Sequence, residues 1–263
     1  MVRLMLATIP RLAMFNKANH VHSGGMSSTV HAPTPLAQLG PIAQLRAGRL
    51  GRRLPQLFIG LILYGVSLAM MVRGAVGLAP WDVLHSGYIL HVSMTLGQAV
   101  ILFSFVVLAI WIPLREKPGI GTLSNALVVG VSADATLVLF DNPDAMAPRV
   151  ALMLGGVLLC GLATAVYVGA QLGRGPRDGL MTGLHRRTGL SLRLVRTGLE
   201  VAVVLIGLAM GGVLGVGTLV YAFAIGPIAQ ALMPYFLVDL RPADEPRSGR
   251  IVSPHEQSGA SCR

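Results

Sequence analysis

The chain has 263 residues, 53% of them hydrophobic and 12% charged, with a formal net charge of +10 and a mean hydropathy of +0.67. A soluble domain is roughly one quarter charged, so the composition excludes a soluble enzyme, a disordered chain and a nucleic-acid binder. The positive charge is assigned to membrane-flanking loops instead of a phosphate backbone, and the expected class is an all-α polytopic membrane protein.

Residues 1–54 are expected to form a mobile cytoplasmic N-terminal tail. Met1 to Phe15 is broken by Pro10 and no small-residue cleavage site follows a long apolar core, so no signal peptide is expected. The stretch 16–54 is rich in His, Ser, Gly and Pro without periodicity, and both Met1 and Met26 stay open as the start. His20, His22 and His31 in this tail are expected to be solvated.

About 20 apolar residues cross the hydrocarbon core as a helix. Six stretches meet this: 56–75, 96–114, 120–140, 149–170, 195–212 and 217–238. Two shorter segments, 81–94 and 177–190, follow the first and fourth spans. At 1.5 Å per residue each reaches about 21 Å, short of the ~30 Å core, so they are expected as half-helices. The expected organisation is a first membrane repeat over 55–140, a second over 141–238, and a cytoplasmic C-terminal tail over 239–263.

Lys and Arg set the expected orientation. With both termini in the cytoplasm, Arg46, Arg49, Arg52, Arg53, Arg115, Lys117, Arg174, Arg177, Arg186, Arg187, Arg193, Arg196, Arg241, Arg247 and Arg250 lie inside. Only Arg73 and Arg149 fall outside, and making the short segments span would worsen this balance.

The sequence matches itself, without gaps, at an offset of 96 residues. Gly77-Leu-Ala-Pro80-Trp-Asp82-Val-Leu84 falls on Gly173-Arg-Gly-Pro176-Arg-Asp178-Gly-Leu180, and Gly119-Ile-Gly121-Thr122-Leu123 on Gly215-Val-Gly217-Thr218-Leu219. Of the 70 positions from Leu61 to Gly130, roughly 18 are identical to their partners. Each unit holds three spans, an odd number, so the second is expected upside down relative to the first. Inverted repeats are a common build for secondary transporters, with the solute site near the midplane between halves. Duplication into a merely stable bundle is the plainer alternative.

Polar residues in apolar surroundings are the candidates for a substrate path: Pro80, Asp82, Asn125, Asp134, Pro176, Arg177, Asp178, Arg196, Glu200 and Tyr221. Each Pro-x-Asp element either simply starts a helix or places a polar helix end on the path. Asp134, aligned with Gln230, is an intramembrane carboxylate and so a functional candidate, or else the wall of an outer vestibule. Asn125 and Tyr221 are an aligned polar pair that either faces a cavity or bonds between helices. Arg196 and Glu200 are four apart on one helix face, a structural pair or a coupling pair for a proton or anion. Ser104 holds the position equivalent to Glu200.

Cys160 and Cys262 suggest neither disulfide nor metal, His85 and His91 do not share a helix face, and no cofactor is expected. Motifs of hydrolases and phosphate-binding loops are missing, so no enzymatic activity is expected.

The strings Gly77–His85, Trp111–Leu123, Gly175–Met181, Gly215–Leu219 and Gly226-Pro227 together resemble the YczE-type integral membrane proteins, relatives of the YitT group. The resemblance covers residues 52–236. It implies a bacterial cytoplasmic-membrane location and supplies no substrate. Two functions stay open: a permease or secondary transporter for a small solute, with a proton as candidate coupling ion, or an accessory protein whose basic cytoplasmic face (Arg186, Arg187) docks a partner. The bilayer itself is the one partner common to both, and no nucleic acid is expected.

Overall fold

The structure, a computed structural model, describes residues 40–139 and 141–240. The expectations for residues 1–39 and for 241–263 lie outside the described residues. Among the described residues all regular structure is helical. In chain order the helices are α1 (Pro41–Arg46), α2 (Leu50–Gly74), α3 (Pro80–Ile89), α4 (Leu96–Leu114), α5 (Ile120–Leu139), α6 (Met146–Gly169), α7 (Pro176–Thr188), α8 (Leu192–Ala209) and α9 (Val216–Phe236).

Five of them, α2, α4, α5, α6 and α9, are long and apolar enough to cross a membrane. The sixth expected span corresponds to α8, whose 18 residues include Arg193, Arg196 and Glu200. That charge density separates it from the other five. The two short segments begin at Pro80 and Pro176, each at the first helical turn, where proline's missing N–H costs no bond. Ile62, Phe105, Leu158, Leu205 and Phe223 are exposed, so the outer face is apolar like the interior, as a hydrocarbon solvent requires.

The tail expected over 1–54 is corrected at its end: residues 41–46 and 50–54 are helical. Arg53, fully buried, is the reason. Its guanidinium donates to Ala170 O (2.8 Å), Gln171 O (2.7 Å), Gln44 O (2.6 Å) and Gly48 O (3.2 Å). It thereby satisfies the orphan carbonyls that end α6 and ties the segment before α2 to them.

The same bonds recur with the halves exchanged. Arg149 donates to Gly74 O and Ala75 O, both at 3.1 Å, at the end of α2. Positions 53 and 149, 74 and 170, and 75 and 171 each differ by the offset of 96. Gly121 N donates to Leu172 O at 2.9 Å, and Gly217 N to Val76 O at 3.1 Å. Thr122 and Thr218 each accept from their helix-start glycine, Gly119 N at 3.2 Å and Gly215 N at 3.4 Å. Each then reaches into the other half: Thr122 Oγ1 donates to Arg174 O, and Thr218 Oγ1 accepts from Leu78 N.

Packing follows the same exchange. α2 lies along α6 at the centre; α2 packs on α5 as α6 packs on α9, and α3 on α8 as α7 on α4. One relation breaks it. α4 packs against α5, whereas α8 and α9 scarcely touch. Gly97 and Gly130 bring the α4 and α5 backbones together so closely that a Cβ on either would run into the other's carbonyl oxygen. In the second half Arg193 stands at the position of Gly97, and Gly226, at that of Gly130, faces open space. A large side chain on α8 thus replaces the contact that closes the first half.

Candidate functional site

A cavity of about 270 Å³ lies where the two short helices α3 and α7, α2, α6 and the loosely packed α8–α9 seam meet. Seven pairs of its lining residues are related by the offset of 96: Ala79 and Gly175, Pro80 and Pro176, Trp81 and Arg177, Val100 and Arg196, Ser104 and Glu200, Asn125 and Tyr221, Val129 and Ile225. Both halves therefore contribute equivalent positions to one space. The chemistry of those positions differs, apolar or hydroxyl on α4 and charged on α8.

Eight of the ten sequence candidates line this space: Pro80, Asn125, Pro176, Arg177, Asp178, Arg196, Glu200 and Tyr221. Asp82 stands just behind the lining. It is buried, its Oδ1 lies 3.1 Å from His85 Nδ1 and 3.7 Å from Arg177 Nη2. Asp134 is elsewhere. Its Oδ1 accepts from Gly97 N at 2.7 Å and its Oδ2 from the Thr95 hydroxyl, so it caps α4 and closes the α4–α5 seam. Its counterpart Gln230 lines the cavity instead.

The short helices α3 and α7 bring their N-termini to the cavity through Ala79-Pro80-Trp81 and Gly175-Pro176-Arg177. Neither has a side-chain cap, and each has a carboxylate in its first turn, Asp82 in α3 and Asp178 in α7, set against the partial positive charge of the helix end. The Arg177 guanidinium lies over the Trp81 ring, 5.1 Å from its centroid, a cation–π contact between two equivalent positions. Behind α7, Gly179 admits the Trp111 indole, which any Cβ there would strike, and Trp111 Nε1 donates to Pro176 O at 3.0 Å. That bond fixes the turn from which Arg177 projects.

The acids around the cavity already have partners. Tyr167 OH donates to Asp178 Oδ2 at 3.1 Å, and Arg196 Nε to Glu200 Oε1 at 2.9 Å. Tyr167 in turn meets Tyr64 edge-on at 6.1 Å, and Tyr221 OH lies 3.8 Å from Cys160 Sγ. Among the described residues no three His, Cys, Asp or Glu side chains gather as metal ligands. His91 Nε2 lies against Met210 O instead, at 3.1 Å. Of the basic residues set aside for a docking face, Arg186 pairs with Glu116 at 2.8 Å and Arg187 is exposed.

Sequence reading passed over Trp81, Tyr64 and Tyr167 as site residues and named Gln230 only as the counterpart of Asp134; all four line the cavity. Aromatic residues on apolar faces look like core, and only the offset that pairs Trp81 with Arg177 marks it.

Comparison with known proteins gives a consistent family. The model of a family of unknown function, DUF6198, matches residues 51–234. An uncharacterized protein of Haemophilus influenzae is 37% identical over 174 residues, covering 66% of this chain and 80% of that protein. The uncharacterized membrane protein YczE of Bacillus subtilis is 32% identical over 179 residues, 67% of this chain and 83% of its own length. The Bacillus subtilis protein YyaS is 23% identical over 180 residues, 67% of this chain and 90% of its own. No solved structure matches the chain significantly.

Proposed function

Because the chain belongs to the YczE-type membrane proteins of the DUF6198 family, we propose for it the function its cavity supports: a permease or secondary transporter for a small solute. Its two halves, α2–α5 and α6–α9, act as inverted three-span repeats about the cavity, with α8 as the sixth span. Both termini lie in the cytoplasm of a bacterial cell, following the Lys and Arg balance of the loops.

One observation carries this reading: seven equivalent residue pairs line one space, beside an α4–α5 seam that is closely packed and an α8–α9 seam with scarcely any contact. A transporter built from inverted repeats exchanges the conformations of its halves. The two seams are then the two gates, one closed and one open in this state. Asp134, Thr95 and the Gly97–Gly130 contact hold the closed gate; Arg193 and Gln230 flank the open one. Glu200, on the open side and paired with Arg196, is the group assigned to proton coupling.

Purified protein reconstituted into liposomes tests the proposal. The expected result is protein-dependent flux of at least one small solute, saturable and altered by a pH gradient. No flux from a broad panel of anions, cations and neutral solutes, with or without the gradient, would sink it.

A further inference from the structure

The polar groups around the cavity divide into those with partners and those without. Each carboxylate has one: His85 at Asp82, Tyr167 at Asp178 and Arg196 at Glu200. The donors at the centre do not. Among the described residues nothing accepts a hydrogen bond from the Arg177 guanidinium, whose ion-pair partner Asp82 stands at 3.7 Å, outside hydrogen-bond range. Trp81 is 7% exposed, and its Nε1–H has no acceptor although the residue lines the cavity. A buried N–H left unpaired is costly, and an arginine fork with free donors matches a planar carboxylate better than any neutral group.

Two further features narrow the class. The N-termini of α3 and α7 both reach this centre without side-chain caps; each carries one first-turn carboxylate, Asp82 held by His85 and Asp178 by Tyr167, so the attraction for a further negative charge rests on Arg177 together with the helix ends. Part of the remaining wall is apolar, from Val100, Val129 and Ile225, beside the polar Ser104, Asn125 and Gln230; the apolar part suits a short carbon tail and offers an inorganic anion no contact. The volume of about 270 Å³ falls below the roughly 300–1,000 Å³ of pockets for drug-sized ligands.

We infer that the cavity binds a small organic monocarboxylate, its carboxylate taken by the Arg177 guanidinium and Trp81 Nε1–H at the two half-helix N-termini, its tail against Val100, Val129 and Ile225. The inference rests on the reading of this cavity as the solute site and deepens it. Trp81 and Arg177, the pair related by the repeat, divide the work: one aromatic donor and one cation sit where each half presents the same position.

The test is binding by the purified full-length protein in detergent, read by thermal shift and by tryptophan fluorescence. The probes are propionate, butyrate and lactate; chloride and phosphate; methylammonium and choline; and glycerol. Saturable binding of at least one monocarboxylate is expected, tenfold or more tighter than either inorganic anion. Arg177→Gln is expected to weaken it at least tenfold, with partial rescue by Arg177→Lys. The wild-type panel stands alone if the glutamine variant does not fold. Four results would overturn the inference: no saturable carboxylate response, a cation or glycerol bound in preference, chloride or phosphate bound as tightly as the best carboxylate, or unchanged affinity in a folded Arg177→Gln. Binding without flux in liposomes would refute transport and leave this site standing. Flux of another solute without carboxylate binding would refute the site alone.

Discussion

Replacing Arg53 by alanine is expected to be much more damaging than replacing its counterpart Arg149. Arg53 is fully buried and donates four hydrogen bonds of 2.6–3.2 Å, two of them to the carbonyls that end α6. Arg149 donates two, each at 3.1 Å, to the end of α2, and is only half-buried. A hydrogen bond from a charged donor contributes about 1.5–3 kcal/mol, and a buried acceptor left without a donor costs about 1–3 kcal/mol. Summing all four bonds would overcount, because they share one side chain. Arg53→Ala leaves the Ala170 and Gln171 carbonyls without a donor at about 1–3 kcal/mol each, about 3–5 kcal/mol for the side chain as a whole, and loss of the half-exposed Arg149, whose carbonyls water can reach, costs about 1–2 kcal/mol. At ~2–4 °C per kcal/mol for a chain of this size, the apparent Tm in detergent should fall by roughly 6–20 °C for Arg53→Ala and 2–8 °C for Arg149→Ala. Arg53→Lys should recover less than half the loss, because an ammonium cannot fork across Ala170 O and Gln171 O. Equal Tm losses for the two alanine variants, or full recovery with lysine, would refute the account of these arginines as helix-end caps.

Asp134→Ala removes the acceptor for Gly97 N–H and the Thr95 hydroxyl. It should cost about 0.5–2 kcal/mol, the usual value of a helix N-cap, while leaving solute affinity unchanged; a melting curve and a binding isotherm on one sample check both. Gly97→Val should prevent stable folding, since its Cβ would meet Gly130 O, whereas Gly226→Ala, with nothing within 4 Å of the new methyl, should melt at or above the wild-type temperature. Glu200→Gln should change the Tm little, because an exposed i,i+4 ion pair contributes about 0–1 kcal/mol. It should abolish the response of liposome flux to an imposed pH gradient, and a retained response would remove Glu200 from coupling.

The sequence carried the fold further than it carried the site. Five of the six expected spans follow from hydrophobic length, and the two short helices start at Pro80 and Pro176, the two residues that proline's geometry singles out. Arg53 and Arg149 escaped for a physical reason. Counted as charges near a membrane boundary, they report orientation; only packing reveals that each caps the helix of the other half. Their spacing of 96 was available, eight residues upstream of where the identities become dense. Asp134 could not be placed from sequence, because a carboxylate inside a span signals function or an unsatisfied helix end equally well; the structure sets it against the start of α4. Arg193 opposite Gly97 was legible as a mismatch between halves, yet its consequence, an unclosed seam, depends on which helices pack together.

The central claim is that the cavity between the halves opens alternately at its two seams, and it can be tested without knowing the solute. A single cysteine at Asn125, in a Cys160→Ala, Cys262→Ser background, would sit on the cavity wall. Treatment with a small membrane-impermeant thiosulfonate, applied separately to each face of oriented vesicles, should modify it from both sides. Modification from one side only would contradict alternating access and leave a static vestibule.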